Sequence, residues 1–97
     1  MADTTSATTF DDAGARAEVV ARLRRVQGQV AGVIAMIEAG RSCADVVIQL
    51  AAASKALDRA GFKVVSSGLQ DCLAAEERGE APTLTRGQIE KLFLSLA

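Results

Sequence analysis

The sequence predicts an all-α protomer of two long helices and one short C-terminal helix. Three observations carry this. Apolar residues recur at helical spacing over two long stretches, no stretch alternates with the two-residue period of a strand, and glycine or proline falls where the periodicity breaks.

The first helix is expected over about 14–39. Val19, Leu23, Val26, Val30, Val33 and Ile37 recur at alternating steps of four and three, a heptad seam, and Gly40 supplies the C-terminal cap. The second is expected over 43–77. Ser42 is its N-cap, with Asp45 at the capping-box position in place of the usual Glu or Gln. Its apolar positions Val46, Leu50, Ala53, Leu57, Ala60 and Val64 continue to Leu69, and Gly79 and Pro82 end it. Thr85 with Gln88 forms a second capping box. It opens a helix over 86–96 with Ile89, Leu92, Phe93 and Leu96 facing inward. Residues 1–13 lack periodicity and read as a mobile segment, leaving 14–97 as a single helical domain.

Composition narrows the function. A chain of 97 residues is one small domain, a size that often gains stability by association. The opening MADTTSATTF has neither a basic run nor an apolar stretch fit for a signal peptide or membrane span, so a cytoplasmic protein with no membrane partner is expected. There are two cysteines and no histidine. In a reducing compartment two cysteines are poor candidates for a structural disulfide, which leaves buried thiols, ligands or sensors. No general base or cofactor motif is visible, so neither enzyme chemistry nor a cofactor is expected.

The net charge of −1 hides a gradient. Arg16, Arg22, Arg24, Arg25 and Arg41 against Glu18 and Glu38 give residues 16–41 a local charge of +3, whereas residues 71–97 carry −2. All the basic charge of the first helix is arginine, which suits forked contacts to phosphate, although a solvated helix face has the same composition.

A helix of about 35 residues is about 50 Å long, far longer than the third helix that could cover it. Its exposed seam calls for a partner chain, and antiparallel pairing of the long hairpin with a copy gives a dimeric four-helix bundle. Along one helix Cys43 and Cys72 lie about 43 Å apart, whereas a disulfide needs Cα atoms within about 7 Å. If the second helix pairs antiparallel with its copy near Leu57 and Asp58, Cys43 of one chain faces Cys72 of the other, twice per dimer. Cys43 follows an N-cap, where free N–H groups, the helix dipole and the nearby Arg41 favour a thiolate. Cys72 lies near the opposite helix end beside Asp71. Cys43 is then the nucleophile and Cys72 the resolving thiol; the alternative is a pair of inert buried cysteines.

The run RLRRVQGQVAG, the Cys-x-Asp-x-x-x-Gln that opens the second helix, and a cysteine 29 residues after the first resemble the core of the copper-sensing operon repressor family, the CsoR/RcnR-type regulators, over roughly residues 16–79. The resemblance implies an all-helical repressor that binds operator DNA without a helix-turn-helix, as a disc-like tetramer made of a dimer of dimers. In copper-sensing members the metal is held by the first cysteine, a histidine four residues before the second cysteine, and that second cysteine from the neighbouring chain. Here the histidine position is Gly68. The family's aromatic position before the first cysteine is Ser42, and its C-terminal acidic position falls at Lys91. A Cys, His, Cys copper site is therefore absent, and nickel or cobalt sensing, which relies on imidazole, is weaker still.

What survives is the dithiol, similar to the persulfide-sensing branch, the CstR-like repressors of sulfurtransferase operons. That branch implies capture of a low-molecular-weight or protein persulfide by Cys43 and resolution by Cys72 as an intersubunit di-, tri- or tetrasulfide, with release of DNA. A copper(I) sensor using only Cys43 and Cys72 is the alternative. For DNA, Arg22, Arg25 and Gln29 form an i, i+3, i+7 stripe on the first helix. Carried over by position, Arg22 and Arg59 match basic residues implicated in operator binding, and Lys55 and Lys63 flank Arg59 at four-residue spacing.

Overall fold

The computed structural model describes residues 13–97. The expected N-terminal segment lies outside the described residues except for Ala13, which opens the first helix. Three helices are present, α1 (Ala13–Glu38), α2 (Cys43–Glu77) and α3 (Arg86–Leu96). Among the described residues there is no strand.

The helix ends follow from local chemistry. Gly40 has φ +73°, its N–H bonds to Ile37 O at 3.1 Å, and the Arg41 N–H bonds to Met36 O at 3.0 Å. Gly79, φ +72°, repeats this pattern after α2, with bonds to Glu76 O at 3.0 Å and from Glu80 N–H to Ala75 O at 2.9 Å. These paired bonds satisfy carbonyls that a helix end leaves free, and only glycine adopts the left-handed turn at little cost. Thr85 and Gln88 make both halves of the capping box of α3. At α2 only half of the expected box forms. Ser42 Oγ accepts from the Asp45 N–H at 3.2 Å, but the Asp45 carboxylate turns to Arg41 Nη2 at 3.0 Å. Aspartate is one methylene shorter than the glutamate that normally closes the box, and a guanidinium lies within its reach.

The loop at 39–42 folds α1 back along α2. Each predicted seam then splits into two rows. Val19, Val26 and Val33 of α1 and Ala53, Ala60 and Ser67 of α2 are buried, each row stepping by seven. Alanine and serine let the two axes approach closely. Leu23, Val30 and Ile37 of α1, and Leu50, Leu57 and Val64 of α2, remain exposed. A two-helix hairpin buries only the row along its line of closest approach, and the flanking row requires another helix layer.

α3 packs on α2 and not on α1. Ile89 is buried, Phe93 meets Phe62 with ring centroids 5.4 Å apart, and Leu96 lies over Gly61, where a Cβ would come within 2.9 Å of its Cδ2. Leu92 and Phe93, expected to face inward, are both about half exposed within this chain, although Phe93 still meets Phe62. α3 has only one helix to cover it, so one of its apolar flanks stays in solvent.

The radius of gyration is 17.4 Å, against about 13 Å for a compact chain of about 100 residues. The protomer is a rod measuring 58 × 29 × 18 Å. Among the described residues, no helix is long and apolar enough to cross a membrane.

Candidate thiol pair and nucleic-acid interface

Cys43 is the first residue of α2, directly after the Ser42 N-cap, and its side chain is exposed. Arg41, expected to assist it, pairs with Asp45 one turn on. Cys72 lies near the other end of the same helix and is buried. Its thiol donates to Glu76 Oε2 at 3.6 Å. Glu76 is in turn held by Arg86, the first residue of α3, with Nη2 at 2.6 Å and Nε at 3.2 Å from Oε1. Burial pushes the Cys72 thiol up from its ordinary range, and the charge and hydrogen bond of Glu76 add to this, with Arg86 partly opposing them. Arg86 holds the Glu76 carboxyl below its usual range.

The carboxylate that acts on Cys72 is therefore Glu76 and not Asp71. Side chains four apart share a helix face, whereas adjacent ones diverge. The i, i+4 spacing was available in the sequence; the Arg86 contact from a separate helix was not.

The two thiols should separate in alkylation. At pH 8, iodoacetamide is expected to label Cys43 at least about tenfold faster than Cys72, because Cys43 is exposed whereas Cys72 is buried with its pKa raised; peptide mass spectrometry over a time course reads the two rates. The linked effect on stability has a definite sign. With its folded value raised, the Cys72 thiol is held protonated more tightly by the folded chain than by the unfolded one. Its contribution is complete below the ordinary thiol range and is lost as pH rises through the raised value.

The second feature is a basic groove along the α1–α2 hairpin, an open depression of about 360 Å³ lined by Arg22, Arg59, Phe62, Lys63 and Ser66. Glu18 straddles its edge. Oε1 accepts from Arg22 Nη2 at 3.1 Å on its own helix, and Oε2 pairs with Lys63 Nζ at 3.3 Å across the hairpin. Hydrogen bonds from Arg22 and then Lys63 lower the pKa of Glu18. Lys55 is exposed one turn before Arg59 on α2 and does not line the groove.

Of the residues expected to meet DNA, Arg22, Arg59 and Lys63 share the groove. Arg25 is exposed but does not line it, and Gln29 is half-buried with its Oε1 enclosed and unpartnered. Sequence reasoning missed Glu18. Its four-residue spacing from Arg22 was the available signal, while the link to Lys63 exists only once the hairpin closes.

Among the described residues, no group of three or more His, Cys, Asp or Glu side chains gathers in a way that could hold a metal. At Gly68 an added Cβ would meet only Leu84 Cδ1, at the ordinary contact distance of 3.9 Å, so packing does not impose glycine there. The two thiols are soft donors that suit copper(I), and the chain has no histidine to supply the imidazole that nickel and cobalt sites favour.

The chain is similar to the copper-sensing transcriptional repressor RicR of Mycobacterium tuberculosis, 40% identical over 52 residues that make up 54% of each chain. It is similar to the copper-sensing transcriptional repressor CsoR of Bacillus subtilis, 30% identical over 57 residues, 59% of this chain and 56% of that one. Bacillus subtilis YrkD, an uncharacterized protein, is 46% identical over 46 residues, 46% of this chain and 73% of its own. The chain spans about half the length of the two copper-sensing relatives. No solved structure gives a significant match. The model of the metal-sensitive transcriptional repressor family matches residues 15–94, which hold all of α2, all but the ends of α1 and α3, both cysteines and the residues lining the groove, and the chain belongs to that family.

Proposed function

We propose that the protein is a thiol-based transcriptional repressor that binds operator DNA when reduced and releases it when reactive sulfur links Cys43 to Cys72 of a neighbouring protomer. The observation that carries this reading is the asymmetry of the thiols. One is exposed at a helix N-terminus and one is buried and hydrogen-bonded to Glu76, and among the described residues no group of three or more His, Cys, Asp or Glu side chains gathers around either.

In the first step the Cys43 thiolate attacks the outer sulfur of a persulfide RS–SH. A Cys43–S–SH persulfide forms and RS⁻ leaves. In the second step the Cys72 thiol attacks the Cys43 sulfur of that persulfide; the Cys43–S–S–Cys72 bond forms and H₂S departs. Longer links form when more persulfide is consumed before resolution. The exposure of Cys43 makes capture fast, and the burial of Cys72 makes resolution slow. The exposed row Leu50, Leu57 and Val64 is centred on the midpoint between the cysteines and supports an antiparallel α2–α2 contact at Leu57. A second exposed row, Leu23, Val30 and Ile37 of α1, offers apolar surface to the same bundle, and a dimer of dimers completes the proposed assembly. Crosslinking shifts the protomers relative to one another, and a coupling of about 1–3 kcal/mol gives a 5- to 150-fold change in DNA affinity.

One observation favours a second reading. Three relatives are named as copper-sensing repressors, and the same intersubunit thiol pair would hold copper(I) as a two-coordinate ligand set. In that case copper(I) supplies the crosslink as a reversible thiolate bridge. Intact-mass spectrometry after separate exposure to glutathione persulfide and to copper(I), paired with DNA binding on the same samples, separates the two. The sulfur reading predicts covalent sulfur addition with loss of DNA binding, and no DNA release with stoichiometric copper(I). Release by copper(I) alone would establish the metal reading in its place.

A further inference from the structure

We propose that Glu18 is a resident competitor of DNA phosphate, seated between Arg22 and Lys63, and that operator DNA binds by displacing its carboxylate. This rests on the reading of the groove as a DNA surface. Each Glu18 oxygen takes one cation, Arg22 Nη2 at 3.1 Å and Lys63 Nζ at 3.3 Å, and the two cations come from different helices. A phosphodiester presents the same charge on two anionic oxygens at nearly the same spacing, so the seat that holds the carboxylate is shaped for a phosphate. Arg59 lines the same groove and has no ion pair among the described residues, leaving one cation ready to meet an incoming strand.

Glu18, Arg22 and Lys63 are all about 40% exposed. Ion pairs this open to water are weak and readily exchanged, so displacement is feasible while still subtracting from the affinity. The consequence is selection for a polyanion. A single phosphate ion gains too little from Arg59 to evict the carboxylate, whereas duplex DNA, held by many phosphates at once, does so with a small loss. In the absence of DNA the same carboxylate ties α1 to α2 and holds both cations in place.

The test uses the full chain, reduced, and a duplex that the wild-type protein selects from a randomised pool. Glu18→Gln and Glu18→Ala are expected to bind that duplex at least about threefold more tightly at 0.15 M salt, with a steeper dependence of affinity on salt. Circular dichroism confirms that the helices persist. Weaker or unchanged binding in both folded variants would overturn the inference, since Glu18 would then organise the cations or be irrelevant to DNA. Arg59→Ala, a residue not paired with Glu18, tests the underlying reading separately. If Arg59→Ala weakens binding and the Glu18 variants do not strengthen it, the groove binds DNA and only the competitor role fails. If the wild type selects no duplex, the DNA surface and the competitor fail together.

Discussion

Exposure of the reduced protein to a low-molecular-weight persulfide is expected to give a species that runs as a covalent dimer on non-reducing denaturing gels. Within one α2 the two sulfurs are held at opposite ends of a continuous helix, about 43 Å apart by helix rise, so any Cys43–Cys72 bond must join two chains. Cys43→Ala is expected to abolish both persulfide capture and the dimer band, because the remaining thiol is buried and held protonated against Glu76. Cys72→Ala is expected to take up sulfur at Cys43 and to stop there, leaving a persulfide visible as a mass increment of one sulfur atom per chain. Wild-type protein should pass through that same intermediate before crosslinking, since an exposed group reacts ahead of a buried one. Both variants should still bind DNA when reduced. A wild type that forms only intrachain bonds, or a Cys43→Ala variant that responds like the wild type, would refute the assignment.

The second large effect is on DNA. Arg22→Ala and Arg59→Ala each remove one cation from the groove that Arg22, Arg59 and Lys63 share. Each is expected to lower operator affinity by about tenfold or more at 0.15 M salt and to reduce the salt slope by about one unit for every phosphate left without its cation in the complex. In the proposed symmetric assembly the effect is multiplied, because one substitution would remove the cation from every protomer on the duplex. Thermal unfolding of the reduced variants should change little, since exposed ion pairs contribute little to stability. Unchanged affinity and slope in both variants would exclude this surface.

The three helices were legible because their signals are local. Seven-residue spacing marks the buried rows, and Gly40, Ser42, Gly79 and Thr85 mark the ends through bonds made within a few residues. The heptad pattern could not say which row of each seam this chain buries for itself. Val19, Val26 and Val33 differ from Leu23, Val30 and Ile37 only in which neighbour each row meets, and that depends on how α1 rolls against α2.

The site divides the same way. The placement of Cys43 at a helix start was legible, as was the basic character of Arg22 and of the Lys55, Arg59, Lys63 row on α2. The Glu18–Lys63 pair and the hold of Arg86 on Glu76 join residues 45 and 10 apart in sequence, and no local pattern announces them. Asp71 drew attention by being adjacent to Cys72, where helix geometry favours the residue one turn further on.

Isotope-mixed crosslink mapping tests the central claim most directly. Reduced protein labelled with ¹⁵N is unfolded and refolded with an equal amount of unlabelled protein, treated with glutathione persulfide, and digested without reduction. Peptides containing Cys43 and Cys72 are expected to be joined through sulfur, and about half of the joined pairs to carry one labelled and one unlabelled partner, as random pairing of two chains requires. Joined peptides that are always both labelled or both unlabelled would show a bond within one chain. That result, or the absence of any Cys43–Cys72 link while DNA is released, would contradict an intersubunit thiol switch.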